Sequence, residues 1–373
     1  MTASLRGAVP AARPAGRGPA SAPASAAAPA RGPSVLAGLG ALLGATFLLS
    51  LALGSVWIPV GEVVAALAGS APEGSATLVV VRDIRLPRAL TALAAGAALG
   101  TAGLQMQTLF RNPLADPFVL GISSGASLGV ALVILAGGGA SAGAFAGHVS
   151  ALGDMSLAAA AIAGAMAVLA VVLAVSARLA SPVTILVVGL MCGYAISALV
   201  TVLVARADAP QLQRFIAWGL GSFSGVTWAR LGVFLPVVGA GLALAAASTK
   251  QLNALLLGER YARSMGLAVR RTRVLAMVGA SVLGGAVTAF CGPVAFVGIA
   301  VPHLCRALLG TSDHRLLAPA VVLAGGSVAL IAQIASLMPG RAGVLPLNAV
   351  TALLGAPVVI AILLRDRRGA FTG

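Results

Sequence analysis

The chain has 373 residues, 59% of them hydrophobic and only 9% charged, with a mean hydropathy of +1.04. A soluble domain carries roughly 25% charged residues, so this composition excludes a water-soluble globular protein and points to a membrane protein. The net charge of +15 comes almost wholly from arginine, with Lys250 the sole lysine; at the ends of apolar spans such charges fix orientation, and a nucleic-acid partner is not expected.

Residues 1–33 are Ala, Pro, Gly, Ser and Arg with almost no large apolar side chain. Such a stretch cannot bury enough surface to offset its ordering entropy and reads as a disordered cytoplasmic tail. Residues 34–373 read as one all-α polytopic domain. Its apolar segments are 35–56, 86–110, 119–136, 155–178, 183–205, 228–247, 271–290, 294–309, 317–338 and 347–365. Most approach the roughly 20 residues a spanning helix needs, which predicts about ten transmembrane helices. Segments seven and eight are parted by Cys291-Gly292-Pro293. A break there is tolerated only where protein or a water-filled cavity satisfies the backbone. Gly96/Gly100, Gly121/Gly125, Gly125/Gly129 and Gly189/Gly193 form GxxxG spacings that read as close-packing faces. With the N-terminus in the cytoplasm, seventeen of the 24 Lys and Arg residues fall inside and seven outside. The positive-inside rule favours that orientation, with both termini cytoplasmic.

The largest polar insertion on the inside is the loop of about 250–273. Two short helices around Gly258 fit its text, with apolar Leu255, Leu256 and Met265 alternating with Glu259, Arg260 and Arg263. Exposed leucines beside charges suit either a docking surface for a cytoplasmic partner or an amphipathic helix lying on lipid. The sequence has no GxxxxGK[ST] and no HExxH, and Cys192, Cys291, Cys305 and the three histidines have no metal-ligand spacing. Acidic residues sit mostly at span ends, so the intramembrane ionisable groups common in ion-driven transporters are nearly lacking. Energy is therefore expected from outside the chain, which is not expected to be an enzyme.

These words resemble the FecCD-type permease family of ABC importers for iron-siderophores, haem and cobalamin, over roughly residues 35–366. The matching text includes Arg85-Leu86-Pro87-Arg88, Gly103-Leu104-Gln105-Met106-Gln107, Arg111-Asn112-Pro113-Leu114-Ala115 with Pro117, and Trp218-Gly219-Leu220-Gly221. It continues in Leu257-Gly258-Glu259 with Ala262-Arg263-Ser264-Met265-Gly266, Gly292-Pro293, Pro302-His303, Asp313-His314-Arg315 and Gly355-Ala356-Pro357. The resemblance implies the type II ABC importer permease architecture and a permease dimer, either homo- or heterodimeric. It also implies two copies of an ATP-binding subunit and an extracytoplasmic substrate-binding protein. No cofactor would be bound by this chain; ATP and Mg would be used by the partner ATPase. Leu257, Gly258, Glu259, Arg260, Ala262, Arg263, Ser264, Met265 and Gly266 would couple to that ATPase. Arg85 and Arg88 match positions that dock the binding protein, or they simply anchor a helix start. Near the ninth span the chain reads Ala332-Gln333-Ile334-Ala335-Ser336-Leu337, where the family carries an Ala-Asp…Ala-Arg pattern, so one docking arginine is lost and Arg341 stands close enough to replace it. Ser181, Pro182, Val183 and Thr184 fall where relatives place an inner gate. The expected cargo is a ferric siderophore, with haem and cobalamin as alternatives and an ion-driven secondary transporter as the rival of another class.

Overall fold

A computed structural model describes residues 32–54, 56–70, 72, 74–135, 155–178, 182–337 and 344–370. In lipid, each backbone N–H and C=O needs a partner within the protein, which leaves helices as the solution for a sequence rich in Ala, Leu and Val. The described residues form fifteen α-helices. They are α1 Gly32–Ala52, α2 Val60–Ala68, α3 Ala76–Val79, α4 Leu86–Phe110, α5 Ile122–Ile134, α6 Ser156–Arg178, α7 Pro182–Val204 and α8 Ala209–Gly219. They continue as α9 Trp228–Ala247, α10 Thr249–Leu256, α11 Glu259–Ser264, α12 Val269–Cys291, α13 Val297–Leu309, α14 His314–Leu337 and α15 Leu347–Ala370. Each of the ten apolar segments holds one long helix. Seven stretches are long and apolar enough to cross a membrane; Ile122–Ile134, Val297–Leu309 and the apolar part of α15 are shorter.

The bundle is built around α4. Its sequence has small or apolar residues on all sides, and a helix of that kind buries itself. It packs against α9, α12, α13 and α14. Small residues make the contacts close. A side chain on Gly96 would collide with the Gly325 carbonyl of α14, and one on Gly103 with the Gly298 carbonyl of α13. Other GxxxG glycines do the same work: Gly125 meets Gly164, Gly129 meets Ala160, and Gly189 meets Val119 and Leu120, whereas Gly193 has only ordinary contacts. Without a hydrophobic drive between helices in lipid, such backbone approach is what holds a bundle together.

The Gly292 break is satisfied by protein. Gly292 has φ +76° and follows α12. The Cys291 carbonyl accepts from Ser222 N at 2.8 Å, and Ala295 N donates to Asn348 Oδ1 at 3.2 Å. A second repair lies in α13. Pro302 has no N–H, so the Gly298 carbonyl one turn earlier loses its helical donor. Gln107 Nε2 of α4 donates to Gly298 and Ile299 carbonyls at 3.3 Å, and Arg306 Nη1 holds Gln107 Oε1 at 2.6 Å.

The sequence reading leaves 206–227 as a connection, but the structure places α8 there. The signal was present: Asp208 accepts from Gln211 N while Gln211 Oε1 accepts from Asp208 N, a capping box, and Pro210 occupies the first turn. The stretch before α4 also holds α2, α3 and a π-helical run Val80–Arg85 that leads straight into α4.

Candidate functional site

The loop at 250–273 folds as α10 and α11 on either side of Gly258, whose φ of +113° only glycine adopts freely. Three links fix this unit to the bundle. At the end of α4, Arg111 takes a left-handed conformation (φ +47°) that closes the helix, and its Nη2 donates to the Leu255 carbonyl at 3.0 Å, capping α10. Glu259 accepts from Arg273 Nη2 at 2.7 Å and from Arg263 Nη2 at 3.3 Å. Arg273 is buried at the start of α12, so the carboxylate ties α11 to a core helix. The third link runs through Asn253. Its Nδ2 donates to Asp313 Oδ1 at 2.6 Å and its Oδ1 faces His314 Nδ1 at 2.8 Å; His314 Nε2 in turn lies 2.9 Å from Thr108 Oγ1 of α4. Asp313 Oδ1 also accepts from Arg315 N at 2.9 Å. This backbone bond, with help from the Asn253 amide, holds the Asp313 carboxyl below the usual carboxylate range.

Outside these links, the unit is open. Ala262 is buried and Gly258 and Glu259 are half-buried, while Leu257, Arg260, Tyr261, Arg263, Ser264, Met265 and Gly266 are exposed. Leu257 is 64% exposed and Tyr261 55% exposed, an apolar face beside basic side chains. The expected gate meets the same place. Val183, 68% exposed at the start of α7, lines one cleft with Arg111, Leu257, Gly258, Glu259 and Arg263. Thr184 is exposed; Ser181 lies outside the described residues, and Pro182 is the first residue of α7. The sequence reading gave no role to Arg111, Arg273, Asn253 or His314, which make these links. Their partners lie 14 to 206 residues away, so nothing local announces them.

At the opposite end, of the two readings of Arg85 the geometry favours the anchor: it is 6% exposed, and its guanidinium donates to the carbonyls of Leu51, Ala52 and Val56 at 2.6–2.8 Å. The last carbonyls of a helix lack intrahelical donors, and Arg85 supplies them for α1. It is therefore an anchor at a helix junction. Arg88 is half-buried, while Arg82 is exposed in a cleft with Asp83, Leu86 and Trp228. Trp228 Nε1 donates to the Arg82 carbonyl at 3.1 Å and fixes that corner. Arg341 lies outside the described residues. Asp116, in the linker between α4 and α5, is fully buried. Its Oδ1 accepts from Phe118 N at 2.9 Å, yet burial dominates and pushes its carboxyl up to about 6.

Comparison with known proteins bears on this geometry. The FecCD transport family matches residues 42–365. A protein of Klebsiella pneumoniae subsp. pneumoniae named "Vitamin B12 import system permease protein BtuC" is 38% identical over 332 residues, 89% of this chain and 94% of that protein. Proteins of the same name from Shigella boydii serotype 18 and Citrobacter koseri are 36% and 34% identical over 88% and 89% of this chain, and over 94% of their own length. A solved structure described as an inward-facing conformation of a putative metal-chelate type ABC transporter superposes with a TM-score of 0.77 at 28% identity. The match covers 89% of this chain and 99% of that one.

Proposed function

The chain belongs to the FecCD transport family, and from that premise we propose that it is the membrane pathway of an importer for cobalamin. Chains of this family are permease subunits of ABC importers, not enzymes; a separate ATPase hydrolyses ATP, a substrate-binding protein supplies cargo, and the permease works as a dimer. The protein is a multi-pass inner-membrane protein.

The cargo reading rests on one observation. Relatives 34–38% identical along nearly the whole chain carry the name of vitamin B12 permeases. This supports cobalamin over the ferric siderophore favoured by the sequence reading. The metal-chelate description of the structural neighbour keeps haem and ferric chelates as outcomes of the test.

In the proposed mechanism the α10–α11 unit sits in a cleft of the ATPase, on the cytoplasmic side. Its exposed face, from Leu257 to Met265, makes the contact. Closure of the ATPase around ATP displaces the unit. Arg111 passes the displacement to α4, the Glu259–Arg273 pair to α12, and the Asn253–His314 contact to α14. Val183 shares the cleft, so the same displacement reaches the start of α7, where the resemblance leads us to expect the inner gate. Nucleotide thereby biases a two-state equilibrium between outward- and inward-facing forms; it can do so only as far as its affinities for the two forms differ. On the outer face Arg88 stays a candidate for the acidic surface of a binding protein, as does Arg341 outside the described residues, and Arg82, Arg206 and Arg214 are also exposed.

The test is uptake of labelled cobalamin, ferric siderophores and haem by proteoliposomes holding this chain, its ATPase and its binding protein. ATP-dependent uptake of cobalamin alone is the expected result. Uptake of a ferric chelate in its place overturns the cargo assignment. Solute movement without the ATPase overturns the mechanism.

A further inference from the structure

A recess of about 380 Å³ lies where α5, α7 and α8 meet beside Pro293. Its wall is unlike the rest of the bundle. Ser123 and Ser127 stand one turn apart on α5; Ser197 and Thr201 stand one turn apart on α7. The i,i+4 spacing puts each pair on one face, so two pairs of hydroxyls meet across the recess. Trp218 and Phe215, stacked with ring centroids 6.2 Å apart, line its α8 side. No charged side chain is among the lining residues.

The hydroxyls are also unspent. Elsewhere in the bundle, Thr91, Thr108, Ser281, Thr288 and Ser327 each donate to the carbonyl four residues back in their own helix. Thr201 does likewise, to Ser197 O at 2.9 Å, which leaves its lone pairs to accept. Ser123, Ser127 and Ser197 make no side-chain hydrogen bond among the described residues. The wall is open rather than sealed, Ser197 and Thr201 being exposed and Ser123 and Ser127 half-buried, so these hydroxyls can be reached by water or by a polar ligand. A hydroxyl both donates and accepts, and a neutral carboxamide offers the matching pair. A carboxylate would find no cation here to offset its desolvation.

We propose that this recess is a contact site for the neutral carboxamide arms of the cargo as it passes the outer half of the pathway. The proposal rests on the cobalamin reading, since a corrinoid carries such arms around its rim, and on the placement of α8 at the outer end of α7.

The test uses the complete transporter in proteoliposomes with saturating, loaded binding protein. It compares ATP-driven uptake of cobalamin with that of a derivative in which one carboxamide arm is hydrolysed to a carboxylate. Wild type is expected to favour the amide by about fivefold, the worth of one net hydrogen bond. Ser124 lines the recess as well, so combined Ser123→Ala, Ser124→Ala, Ser127→Ala, Ser197→Ala and Thr201→Val should bring that ratio to about one. Ser127→Thr and Thr201→Ser, which keep the hydroxyls, should retain it. If the combined variant does not assemble, Ser127→Ala and Thr201→Val are measured singly and should each lower the ratio. An unchanged ratio in hydroxyl-free transporters that still import cobalamin overturns the recess. Absence of cobalamin uptake by wild type overturns the cargo reading instead, so the two failures are distinct.

Discussion

Glu259 is the carboxylate shared by Arg263, on its own helix, and Arg273, at the start of α12. Arg273 is 6% exposed and Arg263 61% exposed in their side chains, so the two bonds differ in weight. The exposed i,i+4 pair contributes about 0.3–0.5 kcal/mol, while removing the partner of a buried charge costs about 1–3 kcal/mol. Glu259→Lys sets three cations together and should abolish both co-purification of the ATPase and uptake. Arg263→Ala should lower uptake less than twofold. Normal ATPase capture by Glu259→Lys would remove this residue from the coupling path. Asp116 makes a prediction of a different kind. Its folded carboxyl sits at about 6 against an ordinary 3.8, so the folded state holds the proton more tightly than the unfolded one. The associated stability is complete below about pH 4 and is lost as pH rises through 6. A shift of that size is of the order of 2–3 kcal/mol. Asp116→Asn keeps an oxygen for Phe118 N and removes the titration. Its melting temperature should exceed that of wild type at pH 7.5, with the gap closing towards pH 4; a constant gap across that range would refute the assignment.

At the scale of elements, α4 decides the fold. In its stretch, 89% of an 18-residue window is buried, against 17% for α7. The difference follows from side-chain size: α4 runs on Ala, Gly and Thr, and its neighbours approach to backbone contact. Gly96→Leu drives a side chain into the Gly325 carbonyl, and overpacking of that kind costs about 3 kcal/mol or more. Gly38→Leu meets open space on α1 and should be silent. Fluorescence-detected size-exclusion after heating separates the two; equal stability would mean that the α4–α14 contact is not a keystone. Hydropathy made the ten long helices legible, because a bilayer imposes length and apolarity on every span. Gly292-Pro293 and Gly258 were legible for a local reason, since their backbone needs are written in the residue type. The inward turn of Arg85 was not. An arginine at a helix start reads equally as anchor or docking residue, and the carbonyls it caps lie 29–34 residues earlier. The clamp on the α10–α11 unit was hidden likewise, since Thr108 and His314 meet only once α4 and α14 have packed.

For the whole molecule, the telling feature is which helices the single chain leaves uncovered. Val183, Tyr194 and Leu199 on α7 are 68%, 64% and 56% exposed, and Leu353 on α15 is 76% exposed. Lipid is one candidate covering for such faces; Leu42 and Leu49 of α1 are 43% and 41% exposed. The other candidate covering is a second permease subunit, since permeases of this family work as dimers. A gate that acts between two subunits must lie on the surface each shows the other. The two coverings are separable by crosslinking. In a background with Cys192, Cys291 and Cys305 replaced by Ala, single cysteines at Tyr194 and Leu353 should form disulfide-linked dimers in membranes containing the assembled transporter. A cysteine at Leu42 should not. If the gate lies at this seam, ATP trapped on the ATPase should change the crosslinking yield at Val183→Cys more than at Leu353→Cys, because Val183 sits beside the moving unit. Dimers formed from this chain alone make the permease a homodimer; crosslinks that need a co-expressed sibling permease make it a heterodimer. Failure to crosslink at every α7 and α15 position would place lipid on both faces.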